Sequence, residues 1–159
     1  MKKLCLISCI ALFVCVSVFA ETTFRFKKSR DGKGLCIEKY TGDEQYVLIE
    51  PYYNGLPVKE IGFFAFSQSD VVSVWLPDTV EEIQERAFYR CNNLSFVTLP
   101  KALRLCGDSS FGYCENLSNI MIYTRTPIKS FSNTAFSHCS SLPMSIQLEL
   151  IKLGYPGHF

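Results

Sequence analysis

Apolar and small residues recur along this chain at fixed offsets, in units rather than in one continuous pattern. Three stretches share a phrase: Ala87-Phe88-x-x-Cys91-x-x-Leu94, Ser110-Phe111-x-x-Cys114-x-x-Leu117 and Ala135-Phe136-x-x-Cys139-x-x-Leu142. A degenerate earlier copy has Ala65-Phe66 with Ser69 in the Cys position. Phe66, Phe88, Phe111 and Phe136 are 22, 23 and 25 residues apart. The second half of each unit also aligns, as Val71-x-x-Val74-x-Leu76-Pro77, Leu94-x-x-Val97-x-Leu99-Pro100 and Leu117-x-x-Ile120-x-Ile122-Tyr123. The period-two alternation predicts a short strand with one buried face. Pro then ends pairing, because it has no N–H to donate. After it come Val80-x-x-Ile83, Leu103-x-x-Cys106 and Ile128-x-x-Phe131, each leading to the next Ala/Ser-Phe, and Val58-x-x-Ile61 leads to Ala65-Phe66 in the same way.

Each unit therefore predicts one buried ladder, with Ala or Ser where space is tightest and Phe as the largest member. A period of roughly 20–29 residues with Leu at fixed offsets is the signature of leucine-rich repeats. Such units cannot bury an apolar face alone and must stack. The expected fold is a repeat solenoid: a short stack with parallel β-strands and short helical turns. Tyr123 to Pro127 stretches the last spacing and predicts a bulging loop.

The layout resembles the BspA-type leucine-rich repeats, over about residues 35–143. Tyr40-Thr-Gly42, Pro51-Tyr-Tyr-Asn-Gly55-Leu-Pro57-Val58 and Ile61-Gly62-x-x-Ala65-Phe66 are similar to that family's entry segment. The tail Leu150-Ile-Lys-Leu-Gly154-Tyr155-x-Gly-x-Phe159 is similar to endings of spirochaetal members. The resemblance implies an exported, surface-associated protein engaged in adhesion and protein binding. Four positions depart from the pattern: Ser69 for Cys, Cys106 for Ile, Ser110 for Ala and Tyr123 for Pro.

The ends set the boundaries. Met1-Lys2-Lys3, an uncharged and mostly apolar Leu4 to Phe19, then Ala20-Glu21 read as a secretory signal peptide over residues 1–20. The alternatives are an uncleaved anchor, for which the run is short, and lipidation at Cys9, for which the apolar stretch before the Cys is short. Residues 21–40 predict an N-terminal β-hairpin cap around Asp31-Gly32. Its basic run, Arg25, Lys27, Lys28, Arg30 and Lys33, is expected to form a solvated face. Residues 41–143 carry the repeats, and 144–159 a C-terminal capping helix and tail, with Ser145 as N-cap and Gly154 just past the end.

Composition removes other classes. Cleavage after Ala20 moves the formal charge from +1 to −1, because Lys2 and Lys3 leave, and that balance gives no footprint for nucleic acid. Cys36, Cys91, Cys106, Cys114 and Cys139 then remain, without a C-x-x-C, so no zinc or redox motif is present. Cys91, Cys114 and Cys139 are expected as a ladder of buried thiols rather than disulfides. Gly107-Asp108-Ser109 lacks the rest of a serine-hydrolase motif, and His138 and His158 lie far apart in the chain. Neither an enzyme nor a cofactor is expected. Asn93-Leu-Ser95 and Asn116-Leu-Ser118 fit glycosylation sequons, yet share one repeat offset where Asn suits a turn.

The outward face of the strands is the remaining candidate. With Val74 and Leu76 inward, Ser73 and Trp75 face out, as do Phe96 and Thr98, then Asn119 and Met121. Stacking places Ser73, Phe96 and Asn119 in one column and Trp75, Thr98 and Met121 in the next. Aromatics and Met are enriched in interface cores. The expected function is an exported, non-enzymatic module that binds a host or envelope protein at the cell surface, in the secreted fraction or in the periplasm. Membrane contact is expected only through the signal segment or a lipid. The alternative is a self-associating structural envelope protein.

Overall fold

The computed structural model describes residues 23–159, so the expected signal peptide lies outside the described residues. Among the described residues, eleven short strands precede one helix. They are β1 (Phe24–Lys28), β2 (Leu35–Tyr40), β3 (Tyr46–Leu48), β4 (Tyr52–Tyr53), β5 (Leu56–Ile61), β6 (Ser73–Trp75), β7 (Glu82–Ile83), β8 (Phe96–Leu99), β9 (Leu105–Cys106), β10 (Asn119–Ile122) and β11 (Ser130–Phe131), followed by α1 (Met144–Lys152). The smaller sheet has the order β10-β8-β6-β3, parallel throughout. The larger runs β1-β2-β5-β7-β9-β11, with β4 paired to β5. From β2 onward its path is parallel, and β1 closes its first edge as an antiparallel hairpin. The chain alternates between the sheets, one strand in each per repeat, and so winds a solenoid of about four turns. The strands of the smaller sheet follow the V-x-L alternation. Those of the larger sheet, only two residues long from β7 on, include the inward Ile83, Cys106 and Phe131, whose repeat position was legible but whose pairing was not. The helical turns expected after each Phe are chains of i→i+3 turn bonds, such as Cys91 N–H to Phe88 O (3.2 Å) and Leu94 N–H to Cys91 O (3.0 Å).

The repeat Phe forms the spine. Phe66, Phe88, Phe111 and Phe136 are at most 1% exposed. Their rings stack at 4.8, 5.0 and 4.9 Å, nearly parallel. The column begins one rung earlier, because Tyr40 stacks on Phe66 at 4.9 Å. Each Phe N–H donates to the carbonyl of the next rung's Ala or Ser: Phe66 to Ala87 (2.7 Å), Phe88 to Ser110 (2.7 Å) and Phe111 to Ala135 (2.8 Å). Tyr40 N–H does the same to Ala65 (2.8 Å). The tight position is satisfied because Ala65, Ala87, Ser110 and Ala135 are all fully buried.

The repeat Cys is a hydrogen-bond donor as well as a small apolar group. Cys91, Cys114 and Cys139 donate their thiols to the carbonyls of Phe66, Phe88 and Phe111 in the preceding rung, at 3.0, 3.0 and 3.1 Å. All five described cysteines are free and buried. Burial pushes the Cys106 and Cys139 thiols up to about 12, which keeps them neutral and unreactive.

Two residues after each Phe the backbone turns left-handed without glycine, at Gln68, Arg90, Tyr113 and His138, with φ from 55 to 63°. That conformation is uncommon for such residues. Inter-rung bonds hold it: Gln68, Arg90 and Tyr113 donate their N–H groups to the carbonyls of Tyr89, Gly112 and Ser137, each at 2.9 Å. The same side chains are thereby held on the outside of the turn.

Both ends are closed by aromatic residues. Phe24 in β1 is buried and packs on Tyr40, Phe66 and Tyr53. Asn54 and Gly55, with φ of 49 and 75°, make the β4–β5 hairpin turn. At the far end Tyr155 meets Phe136 edge-on at 5.6 Å. Phe136 N–H has no further rung to bond and donates instead to the Tyr155 hydroxyl (3.4 Å), which itself donates to the carbonyls of Asn133 and His158. The helix begins two residues earlier than expected: its N-cap is Pro143, without a side-chain cap bond, and Ser145 lies inside the first turn. Gly154 takes φ +97° as the residue beyond the end. Its N–H bonds Ile151 O and that of Tyr155 bonds Leu150 O, at 2.9 and 3.0 Å. This Schellman arrangement delivers Tyr155 to the last rung. Leu150 and Leu153 are buried, whereas Met144, Leu148 and Ile151 form an exposed stripe.

Candidate interaction surface

The outward side of the smaller sheet is built by register. Tyr46, Ser73, Phe96 and Asn119 are successive partners across β3, β6, β8 and β10. Leu48 pairs with Trp75, and Thr98 with Met121. Trp75 is 37% exposed, Met121 44%, and Phe96 half-buried, with the Trp75 and Phe96 rings 5.3 Å apart. Asn119 is exposed. The Tyr123 hydroxyl meets the Met121 sulfur at 2.7 Å, so Tyr123, also exposed, extends the band.

Two of the expected outward residues are not available at the surface. Ser73 is 7% exposed and Thr98 2%. Ser73 lies between the larger Tyr46 and Phe96 in register. Thr98 turns its hydroxyl onto the neighbouring strand, accepting from Leu76 N–H (2.7 Å) and donating to Leu76 O (3.1 Å). Its task is to satisfy that backbone. Conversely, sequence reasoning missed Tyr46 and Leu48, which are 66% and 65% exposed. Their strand precedes the first recognisable Phe. The signal was Val47-x-Ile49, which repeats the alternation of Val74-x-Leu76 but is separated from its Pro by Glu50.

The other candidates resolve into rung-to-rung bonding. Asp108 accepts from the Ser132 hydroxyl, and Ser109 N–H donates to Thr134 Oγ1 (3.1 Å). Asn93 reaches Asp70 (3.2 Å) and Asn116 reaches Asn92 O (2.7 Å), one rung back in each case. His138 stacks on Tyr113 at 4.2 Å. Among the described residues no group of three or more His, Cys, Asp or Glu is placed to hold a metal ion. No described helix is long and apolar enough to cross a membrane.

The basic hairpin face is partly engaged rather than solvated. Arg25 pairs with Glu38 (2.8 Å). The tip lies on the outer face of the larger sheet, where Arg30 N–H donates to Glu60 (2.7 Å) and its guanidinium pairs with Glu82. Glu60 and Glu82 are register partners, each 4% exposed, and buried carboxylates need such partners. Lys59 joins Asp31 to Glu81, and Arg104 joins Glu81 to Glu82. The Lys59 ammonium holds Asp31 well below the usual carboxylate range. This network fastens the cap to the first rungs of the larger sheet.

Known proteins share this architecture. Residues 58–154 match the BspA type Leucine rich repeat region (6 copies). A leucine rich cell surface protein from Faecalibacterium prausnitzii A2-165 is similar, at 29% identity and a TM-score of 0.57 over 76% of this chain and 40% of that one. The chain thus spans two fifths of that protein's length. The leucine-rich repeat protein of T. pallidum (21% identity, TM-score 0.41, 86% of this chain and 96% of that chain) and one from Bacteroides capillosus (22%, 0.47, 64% and 94%) are also similar. No curated protein matches. With more than half its length matched by the repeat profile, the chain belongs to the BspA-type leucine-rich repeat family.

Proposed function

We propose that this protein is an exported, non-enzymatic module that binds a protein partner, from a host or from the envelope, through the outward face of the smaller sheet, and so acts in adhesion at the cell surface. The carrying observation is the band of Tyr46, Leu48, Trp75, Phe96 and Met121 on adjacent parallel strands. Contiguous exposed apolar residues on a rigid sheet mark interaction sites, and rigid aromatics are common hot spots. The similar protein of F. prausnitzii is described as a cell surface protein, which supports the location. A photo-crosslinking residue at Met121 should trap a partner from host or envelope extracts. The same residue at Lys129, exposed but off this sheet, should not. Equal trapping at both positions contradicts the reading.

Self-association has its own support in the exposed stripe Met144, Leu148 and Ile151 on α1. Sedimentation across a range of concentrations separates the two readings, since a monomer at every concentration removes the second.

A further inference from the structure

A cleft of about 330 Å³ opens on the larger sheet beside the hairpin tip, with Arg30, Phe63, Gln84, Leu105 and Asp108 in its walls. Gln84 has no counterpart in the other repeats. Its position after Ile83 is held elsewhere by Gly62, Gly107 and Ser132, yet its side chain is buried, with the residue only 3% exposed. Its Nε2 donates to Glu60 Oε2 at 2.8 Å. Reversing the amide would set two acceptors against each other, so Oε1 is the atom turned away from Glu60. Among the described residues, Gln84 Oε1 is the buried side-chain polar atom without a hydrogen-bond partner. Buried acceptors are rarely left unpaired, because the cost of stripping their water is not recovered.

The charges around the cleft do not balance. Glu60, Glu82, Glu85 and Asp108 stand against three guanidinium groups. Arg30 and Arg104 both pair with Glu82, and Arg86 pairs with Glu85 at 3.3 Å. Glu60 accepts from uncharged N–H groups, those of the Arg30 backbone and Gln84. Asp108 accepts from the Ser132 hydroxyl, and among the described residues it has no ion pair. The unmet demand is for positively charged hydrogen-bond donors. Phe63 is exposed and, unlike Phe64, has no guanidinium over its ring. Together with the half-buried Leu105 it supplies an apolar wall.

We propose that this cleft binds a primary ammonium group on an apolar stem, the chemistry of a lysine side chain or of a free alkylamine. The ammonium donates to Gln84 Oε1 and to the Asp108 carboxylate. The stem lies along Phe63 and Leu105, as lysine stems do on apolar surface. An ammonium carries three donors that can be aimed separately, which suits acceptors on different residues. A guanidinium fork favours both oxygens of one carboxylate, and Asp108 already commits one oxygen to Ser132. A metal ion would lack ligands, since no group of three or more His, Cys, Asp or Glu is gathered among the described residues. An anion would meet an unpaired oxygen and an excess of carboxylates.

The test is an NMR titration of the isotope-labelled protein, followed at the Gln84 side-chain amide. The probes are n-butylamine, which is the lysine side chain alone, and the peptide acetyl-Gly-Lys-Gly-amide. The comparators are n-butanol, the same peptide acetylated on the lysine nitrogen, and its arginine analogue. Butylamine should saturate the shift with a Kd of about 1 mM, a reasonable affinity for so few atoms. Binding of the peptide alone would assign the occupant to a polypeptide lysine, and binding of butylamine alone to a free amine. Gln84→Met removes the acceptor at similar length and should weaken binding about tenfold, the scale of a hydrogen bond to a charged group. Asp108→Asn, at an exposed position, should weaken it about threefold, as for one exposed ion pair. Asp108→Asn also decides the matter if Gln84→Met unfolds the chain by depriving Glu60 of its donor. Glu115→Gln removes an exposed carboxylate outside the cleft and should change nothing. The proposal is overturned by no saturable shift with either probe, by equal affinity for butanol, the acetylated peptide or the arginine peptide, by undiminished affinity in Asp108→Asn, or by an equal loss in Glu115→Gln.

Discussion

The Cys106 sulfur and the Ser110 hydroxyl lie 3.1 Å apart, and both residues are at most 1% exposed. Each departs from the repeat pattern, and together they replace the pairs Ile61 with Ala65 and Ile83 with Ala87. Two departures that look independent in the sequence are one compensated change, a polar contact in place of an apolar one.

That pairing predicts coupling. Cys106→Ile alone should destabilise by about 1–3 kcal/mol, because the buried Ser110 hydroxyl loses its partner. In the double variant Cys106→Ile, Ser110→Ala the apolar pair of the other rungs returns, and much of the loss should be recovered. Denaturant melts of the four proteins in the cycle measure it. Additivity within about 0.5 kcal/mol would place the two residues out of contact.

The buried thiols predict an alkaline limit. Burial raises Cys106 and Cys139 from 9.0 to about 12 in the folded chain. A raised folded value means the stabilisation is complete below the unfolded value and is lost as pH climbs from about 9 toward about 12. Stability by urea melts should therefore fall as pH rises from about 9 toward about 12. Cys139→Ser, which copies Ser69 of the first unit, should flatten part of that fall. Identical slopes for the variant and the parent would show that Cys139 does not contribute.

The ring stack predicts where stability resides. Phe111→Ala, in the middle of the column, should cost about 3–5 kcal/mol through lost burial and a cavity. Tyr155→Phe keeps the ring but deprives Phe136 N–H of its acceptor, and should cost about 1–3 kcal/mol. Thermal and denaturant melts rank them. A loss below about 1 kcal/mol for Phe111→Ala, typical of surface changes, would mean the register of the stack is wrong.

Residue periodicity made the solenoid legible, because Phe, Cys and the V-x-L pairs each return to the same buried position. It made less of the first rung, where Tyr40 stands for Phe and Val47-x-Ile49 stands for the strand core. There a different residue type performs the same packing, so a search by identity passes over it. Trp75 and Met121 were placed outward by alternation alone, and the structure leaves them exposed. Alternation assigns a side of a strand but not what covers it. Thr98 shows the difference, since its hydroxyl is drawn to the Leu76 backbone. The larger sheet's ion network was also hidden, because Arg30 meets Glu82 across 52 residues of sequence.

The proposal that the smaller sheet is the partner surface is tested most directly at Trp75, by measuring partner affinity and thermal stability on the same variant. Truncation of a hot-spot aromatic costs about 2 kcal/mol or more, so Trp75→Ala should weaken binding by at least about thirtyfold. It should lower Tm by only a few degrees, because the side chain lies outside the Phe column. Unchanged affinity accompanied by a large loss of stability would contradict the account and make Trp75 a structural residue.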